Sequence, residues 1–411
     1  MNRLRYTHIY TLLLILGALL TSTSCVRDYN SLGETGNETG YVSIQFDLLH
    51  ALHSNGLRAG NSTEELDNKL QELRMIVFPE GENASVINLL ATDQQRENKR
   101  IIFKLSKLQK YDFYFIANES ASGQKGSDLA FLDNQEVILR SQLENMKTVK
   151  APNIVSEKEM TGVGASIMMT ALYKGVLISE SLQGAGTQSS PYIIDLTKFN
   201  EVQRPNLTAT NRAPAELMRS LAKVELTLKE IVAIRTKQGS TASNPQYNYS
   251  WVLPYGYKDS SKLLIEVLNM PKSYTLFPSS KLTDIATVGS LPPYQFSFKS
   301  KPDPKYVILP DISEPSIGGI YMGDYVITIY LPEYLAKKSL AKNAQPAIKI
   351  TYYEAGIDTP KSRIYPFKNE SASAQTTDYE TILKDLPERA DWNVYRNRLY
   401  QINANILGKE L

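Results

Sequence analysis

The chain has 411 residues, of which 42% are hydrophobic and 21% are charged, and its formal net charge is +2. This length is enough for two or three domains, and the composition is that of a protein that buries ordinary cores, not of a disordered one. Charges of both signs are mixed along the chain, with no long basic run and no acidic tail. The composition therefore does not favour a nucleic-acid partner or a solvating arm.

Residues 1–24 have the features of an export signal. Two arginines precede an apolar stretch at 10–20 that is too short for a comfortable transmembrane helix. The only cysteine, Cys25, follows small residues as in the lipobox of bacterial lipoproteins, although Ser22 stands where that motif usually has leucine. We therefore expect Cys25 to be lipidated. The alternative is a free or buried cysteine after an ordinary signal peptide; in either case a lone cysteine forms no internal disulfide.

A flexible tether and a single strong strand follow the signal. Residues 25–40 are polar and glycine-rich, which predicts the tether. Residues 41–48 alternate between polar and apolar, the pattern of a half-buried β-strand. The side chains predicted to face inward each contribute roughly 1.5–3 kcal/mol when buried; they are Val42, Ile44, Phe46 and Leu48. Arg58 follows in residues 54–61, a polar, glycine-containing segment where a trypsin-like protease could cut.

The rest of the chain alternates short apolar runs with turn-rich segments. A short helix is predicted after Asn61, where Ser62 and Glu65 have capping-box spacing, and short helices or loops are predicted within 131–146 and 157–170. Further strands are predicted at 75–78, 86–90, 100–105, 111–117, 219–228, 262–267, 306–309, 324–330, 347–353, 364–367 and 398–406.

The composition changes at residues 235–250, which are mostly polar and contain glycine and proline. We therefore expect a domain boundary here, with an N-terminal domain at 41–232 and a C-terminal domain at 233–411. Short strands separated by turns, without a clean repeat or an alternating βα pattern, predict a mainly β fold. We expect two tandem β-sandwich domains with short helices in their loops.

Little in the sequence could carry catalysis. His8 lies in the signal, and His50 and His53 follow the first strand, where two polar loop residues are a simpler interpretation than a metal site. With Cys25 in the anchor and no later histidine, Ser/His/Asp and Cys/His nucleophiles are not expected in the mature chain. Nothing resembles a phosphate-binding loop, and no carboxylate pair stands out for a glycosidase, which the sequence leaves open. We expect no enzymatic activity, no metal and no cofactor.

Several short motifs accompany the lipobox cysteine in a recognisable order and spacing. They are Leu73–Phe78 (LRMIVF), Tyr111–Asn118 (YDFYFIAN), Arg219–Val224 (RSLAKV), Tyr330–Tyr334 (YLPEY) and Arg396–Ile402 (RNRLYQI). With these motifs, spread over most of the mature chain, the sequence resembles the fimbrillin-type subunits of the type V pili of Bacteroidales.

The resemblance implies two stacked transthyretin-like β-sandwich domains and export as an outer-membrane lipoprotein held by acyl chains on Cys25. It also implies that an arginine-specific protease cuts the loop after the first strand, which we place between Arg58 and Ala59. A strand from another fimbrial subunit then replaces the first strand, an exchange in which main-chain hydrogen bonds supply affinity. The alternative is that Arg58 is an ordinary solvated loop residue.

The resemblance also bears on the position of the subunit in a filament. Stalk subunits of the family carry a donor extension after the last core strand, whereas here about ten residues follow the motif at 396–400, enough for one strand. We therefore expect a tip or accessory subunit on the cell surface, with a role in adhesion to an unidentified target. A stalk subunit, an uncut membrane-anchoring subunit and a tethered glycan-binding lipoprotein are the alternatives.

Overall fold

The structure is a computed structural model, and most of the residues that it describes are in β-strands. The mainly β prediction is therefore confirmed. The described residues are 38–48, 52–53, 70–119, 129–145, 149–150, 167–194, 196, 214–238, 246–252, 262–271, 273–277, 288–289, 294–297, 307–309, 317–337, 345–353, 359–367 and 393–404.

The described strands are numbered in chain order. The earlier ones are β1 (Thr39–Leu48), β2 (Leu52–His53), β3 (Leu73–Pro79), β4 (Ile87–Leu90), β5 (Arg100–Ser106), β6 (Gln109–Ala117), β7 (Val149–Lys150), β8 (Met169–Ile178), β9 (Tyr192–Ile193), β10 (Ala215–Arg219) and β11 (Leu221–Gln238). The later ones are β12 (Gln246–Val252), β13 (Lys262–Leu268), β14 (Met270–Pro271), β15 (Ser273–Tyr274), β16 (Val288–Gly289), β17 (Tyr294–Ser297), β18 (Val307–Leu309), β19 (Ile317–Pro332), β20 (Ala347–Tyr353), β21 (Pro360–Pro366) and β22 (Arg398–Ala404). The described helices are α1 (Asp93–Glu97), α2 (Phe131–Asn134) and α3 (Arg140–Asn145).

Most predicted strands differ from the observed ones by only a few residues, but two are much longer than predicted. Strand β11 runs on to Gln238, and β19 begins at Ile317, ahead of the predicted start at Asp324. The two strands pair with each other from Leu221 and Pro332 to Thr236 and Ile317. Hydrogen bonds between β11 and β19 thus hold polar and glycine-containing residues in strands. Local strand propensity does not take such pairing into account.

The first sheet curls around an apolar core. Its strand order is β4-β3-β6-β8-β10-β1-β5, with β9 also paired to β1. Strands β8, β10 and β1 separate β5 from β6, yet the ring centroids of Phe103 on β5 and Phe113 on β6 lie 6.2 Å apart in an edge-to-face contact. That contact requires the sheet to fold back on itself, as in a β-sandwich. The enclosed core takes buried side chains from β1, β3, β5, β6, β8 and β10.

Strand β11 leads directly from the first sheet into a second one. Arg219 ends β10 and Leu221 begins β11. The second sheet has the order β18-β19-β11-β22-β2, with β12 also paired to β11, and a four-stranded sheet has the order β17-β13-β20-β21. The predicted boundary between residues 232 and 233 falls inside β11, and the segment at 235–250 contributes residues to the paired strands β11 and β12. A division into two domains at this boundary stays a prediction.

A second apolar cluster lies on the other face of the first sheet. Ile76 and Phe78 of β3 and Tyr114 of β6 belong to it, whereas their neighbours along both strands face the first core. Leu132 of α2 and Leu143 of α3 belong to the same cluster, together with Tyr274, Leu276 and Tyr330 from later segments. Because both of its faces are covered, β3 is buried at every residue and shows no alternation.

Arg396 is buried at the centre of a polar cluster that joins three of the sequence motifs. It donates to Oε2 of Glu333 from Nε at 3.0 Å and from Nη2 at 2.9 Å, and Nη2 also donates to the carbonyl oxygen of Thr275 at 3.0 Å. The next residue, Asn397, has φ of 57° and accepts a hydrogen bond from Nη1 of Arg219 at 2.9 Å. The motifs RSLAKV, YLPEY and RNRLYQI thus meet through buried polar contacts.

Replacing Glu333 by alanine should lower the free energy of unfolding by about 3–5 kcal/mol, because it leaves the Arg396 guanidinium buried without its carboxylate. Urea denaturation measures this loss. Glu82 is exposed, so Glu82→Ala serves as the control and should stay within about 0.5 kcal/mol of the parent. Similar losses in the two variants would contradict a special role for the buried pair.

The buried Tyr274 makes stability depend on alkaline pH. Burial raises the pKa of Tyr274 above its ordinary value of 10.0, although the positive charge of Arg396 acts in the opposite direction. Above about pH 10 the unfolded chain releases this proton while the folded chain keeps it, so the free energy of unfolding should fall by up to roughly 1.4 kcal/mol per pH unit for this group. Urea denaturation across this range should show a smaller fall for Tyr274→Phe; an unchanged fall would contradict the assignment.

Candidate functional site

Strand β1 closes the curled first sheet. Its residues Thr39–Gln45 pair in antiparallel fashion with β5, and Phe46–Leu48 pair in parallel with β10. The short strand β9 adds a parallel pairing near the middle of β1. Strands that change partners in this way form the corners of sandwiches. We call the space between β5, β9 and β10 that β1 fills the β1 slot.

The apolar face of β1 is part of the first core. Val42 and Ile44 are fully buried, Phe46 is 1% exposed, and Leu48 is half-buried against the same cluster. At roughly 1.5–3 kcal/mol for each fully buried side chain, an upper bound because unfolded chains are partly compact, β1 is a substantial part of this core. That β1 is removable stays a prediction.

The opposite face of β1 departs from strict alternation at one residue. Ser43 was expected to face outward, yet it is only 1% exposed. It pairs with β5 and with β9, Ile194 N donates to its carbonyl oxygen at 2.9 Å, and Arg100 Nε donates to its Oγ at 2.6 Å. The next residue on this face, Gln45, is exposed. Pairing with two neighbours thus encloses a small side chain at Ser43.

Further main-chain hydrogen bonds hold β1 at both ends of the slot. Tyr41 N donates to the carbonyl oxygen of Gly186 at 2.8 Å, and Phe46 N donates to that of Lys99 at 3.2 Å. These donors belong to the peptide backbone, so any extended chain other than proline at these positions offers them. The slot can therefore hold a strand of varied sequence through its main chain.

Tyr192 and two glycines shape the slot beside the start of β1. Gly184 and Gly186 have φ of 123° and 69°, and a Cβ on Gly186 would lie 2.4 Å from the Tyr192 ring. On β1, a Cβ on Gly40 would lie 3.0 Å from the same ring. Contacts this short require the ring to shift, so this part of the slot fits glycine closely.

The chain that follows β1 also contributes to the second sheet. Residues Leu52 and His53 of β2 pair in parallel with Arg398 and Leu399 of β22. Strand β22 pairs with β11 as well, so β2 lies at the edge of the second sheet. The segment from Thr39 to His53 therefore supplies strands to both sheets.

Several predicted site residues lie outside the described residues. They include Cys25, Arg58 and Ala59, as well as the helix predicted after Asn61. Lipidation at Cys25 and cleavage after Arg58 therefore stay predictions. Of the histidine pair, His53 lies in β2, whereas His50 lies outside the described ranges.

Sequence reasoning missed the buried ion pairs of the scaffold. Arg74, within the apolar strand β3, donates from Nη2 to Glu119 Oε1 at 2.6 Å and also pairs with Asp133. Burial disfavours the charged form of Arg74, but the hydrogen bonds and charges of Glu119 and Asp133 outweigh it and raise its pKa. Arg140 pairs in a similar way with Asp112. A charged residue inside an apolar run was the available signal, but it does not identify the partner.

Two further observations concern the part of the chain that the structure describes. Among those residues, no group of three or more His, Cys, Asp or Glu side chains could hold a metal ion. No described helix combines the length and apolar character needed to cross a membrane. The features around β1 include backbone hydrogen-bonding groups, apolar side chains and Arg100, an arrangement that can bind an extended chain.

Comparison with known proteins gives only remote likenesses. No protein-family model and no curated protein matches the chain. Among solved structures, the tip fimbrial protein Mfa3 of Porphyromonas gingivalis, with a C-terminal truncation, is similar at 14% identity and a TM-score of 0.46, covering 91% of this chain and 97% of that one.

Two further structures are similar over comparable lengths. A candidate cell adhesion protein of Parabacteroides distasonis has 12% identity and a TM-score of 0.40, covering 89% of this chain and 87% of its own. A candidate adhesin of Bacteroides thetaiotaomicron has 10% identity and a TM-score of 0.35, covering 88% and 99%. At such low identities and TM-scores, a functional proposal has to rest on the residues of this chain.

Changing Ile44 to aspartate should destabilise the precursor by several kcal/mol, because the carboxylate would be buried in the first core without a partner. The exposed neighbour provides a matched control, and Gln45→Asp should change the stability by no more than about 0.5 kcal/mol. Soluble yield and the thermal unfolding midpoint report both effects. Equal yields and midpoints for the two variants would show that β1 is not seated as described.

Proposed function

We propose that the protein is a cell-surface fimbrial subunit that assembles with other subunits by strand exchange, with β1 as the strand that is replaced. The observation that carries the proposal is the position of β1 between β5 and β10, with Val42, Ile44 and Phe46 buried in the core. The side chains that β1 contributes to this core belong to a segment near the predicted cleavage site. A cut there would make the same contacts intermolecular.

The energetics of the slot support this use. Without β1, the sheet would have unpaired main-chain groups on β5 and β10 and an apolar trough, both of which promote aggregation. A strand inserted from another subunit would restore the ladders and the core together. Keeping β1 in place until export therefore protects the precursor, and cutting after Arg58 lowers the effective concentration of β1 so that a competitor can replace it.

The proposal includes a lipidated precursor. Acyl chains on Cys25 would hold the exported protein at the outer membrane, at about 0.8 kcal/mol for each buried CH₂. An arginine-specific protease that cuts between Arg58 and Ala59 would then separate the lipid from the rest of the chain. One cleavage thus both releases the subunit from the membrane and makes β1 replaceable.

We further propose that the protein accepts a strand at a tip or accessory position. Strand β22 lies between β11 and β2 and pairs with both. Residues Arg398–Ala404 could not be donated to another subunit without opening the second sheet. This segment therefore serves the fold of its own chain, which supports an accepting subunit over a donating one. A role in cell adhesion is part of the same proposal.

Replacing Arg58 by alanine should leave a folded, lipid-anchored protein that does not enter filaments. Arg58→Lys keeps the positive charge but removes the arginine, so it should be blocked as well, whereas Ala59→Ser should be cleaved and incorporated normally. Mass spectrometry of the N-terminus and electron microscopy of labelled filaments measure both steps.

Three outcomes of this experiment would count against the proposal. Normal assembly of Arg58→Ala would show that the cut is elsewhere or unnecessary. Filament-incorporated protein that still carries residues 39–57 would rule out replacement of β1. A mature protein that keeps its lipidated Cys25 would favour an uncut anchoring subunit or a tethered glycan-binding lipoprotein.

A further inference from the structure

We infer that the β1 slot selects its incoming strand by two positions, one on each face of the strand: glycine at the place of Gly40, on the apolar face, and a small hydrogen-bond acceptor at the place of Ser43, on the polar face. The inference rests on the proposed strand exchange and adds the chemistry of the partner. The partner is an extended segment of another subunit whose apolar residues take the places of Val42, Ile44 and Phe46.

The main-chain contacts of the slot do not discriminate between strands. The ladders with β5 and β10, and the bonds of the backbone N–H groups of Tyr41 and Phe46, use groups that almost every residue carries. The apolar pockets discriminate only by size, and alternating apolar side chains are common to β-strands. Selectivity among apolar strands therefore has to come from other contacts.

Arg100 supplies the first selective contact. Its Nε donates to the Ser43 hydroxyl at 2.6 Å, and Ser43 is 1% exposed. Arg100 is half-buried, and a strand with valine at this place would leave its Nε beside a side chain that cannot accept a hydrogen bond. Hydrogen bonds to charged groups are among the stronger ones, and a charged donor left unsatisfied is costly. Serine and threonine fit this place, because each has a hydroxyl and a small volume.

Tyr192 supplies the second selective contact. Tyr192 is 5% exposed, and its ring lies against Gly186, in the connection between β8 and β9, and against Gly40 on β1. A Cβ at Gly40 would lie 3.0 Å from ring atom Cε2 and 3.5 Å from Cε of Lys107. The ring has little space to retreat, because a Cβ at Gly186 would overlap it as well. A branched side chain at the place of Gly40 would therefore be rejected.

The charged contact near the end of β1 is not part of the selection. Lys99 Nζ donates to Asp47 Oδ1 at 2.7 Å, but the two side chains are 60% and 47% exposed. Exposed ion pairs of this kind contribute little. The exposed Gln45 likewise faces solvent, so both positions tolerate substitution.

The test uses the full chain with a recognition sequence for a site-specific protease inserted at 54–61. The protease cuts the folded chain at this sequence, and the nicked chain is then mixed with an excess of fluorescent peptide 39–53 in dilute urea. We expect the native peptide to enter the nicked chain and not the uncut one. The Ser43→Val and Gly40→Val peptides should bind the nicked chain with an apparent affinity at least about tenfold lower than that of the native peptide. The Ser43→Thr peptide and the control Gln45→Val peptide should bind with the same affinity as the native peptide. An Arg100→Leu chain should lose the preference for serine over valine.

The outcomes separate this inference from the proposed function. If the Ser43→Val and Gly40→Val peptides bind the nicked chain as tightly as the native peptide does, the inferred selectivity is wrong and the proposed strand exchange is unaffected. If the Arg100→Leu chain still prefers serine over valine, Arg100 is not the selecting group. If the native peptide does not enter the nicked chain, strand exchange itself is overturned, and the inference with it.

Discussion

The structure depends on strand β1, which is seated between β5 and β10 and pairs with both. Strand β1 pairs with β5 along its first part and with β10 along its last part, while Val42, Ile44 and Phe46 complete the apolar core. Hydrophobic burial supplies most of the free energy for this arrangement, and the ladders fix its register. The same features that stabilise the chain define a slot that an extended segment of similar pattern can occupy.

Buried ion pairs elsewhere in the molecule fix the geometry of the scaffold. Arg396 with Glu333 and Arg74 with Glu119 are pairs in which a guanidinium is buried against a carboxylate. Such pairs add little net stability over an apolar replacement, yet losing one partner is costly. They tie segments that are distant in sequence to one geometry, as the Arg219–Asn397 hydrogen bond does across 178 positions. The motifs noticed in the sequence thus serve mainly to hold the scaffold.

Alternation of polar and apolar residues was sufficient to predict β1, which has one face on the first core. A continuous apolar run indicated β3, which is covered on both faces. Local sequence was a weaker guide to strand boundaries where pairing with neighbouring strands holds polar residues in a strand. Strand β11 continues through the polar residues 235–238 because β19 and β12 pair with it there. Ser43 shows the same limitation at a single residue. Its polarity predicts exposure, but two neighbouring strands and Arg100 bury it.

The sequence by itself determined the mainly β fold and the identity of the inward-facing side chains of the first strand. These follow from local periodicity and composition, which every short window of the chain contains. Only the tertiary structure decided that β1 joins β5 to β10, that β2 reaches the second sheet, and that Arg100 contacts the polar face of β1 while Tyr192 packs beside Gly40 on its apolar face. Those contacts join residues far apart along the chain, and their partners are set by pairing register and packing.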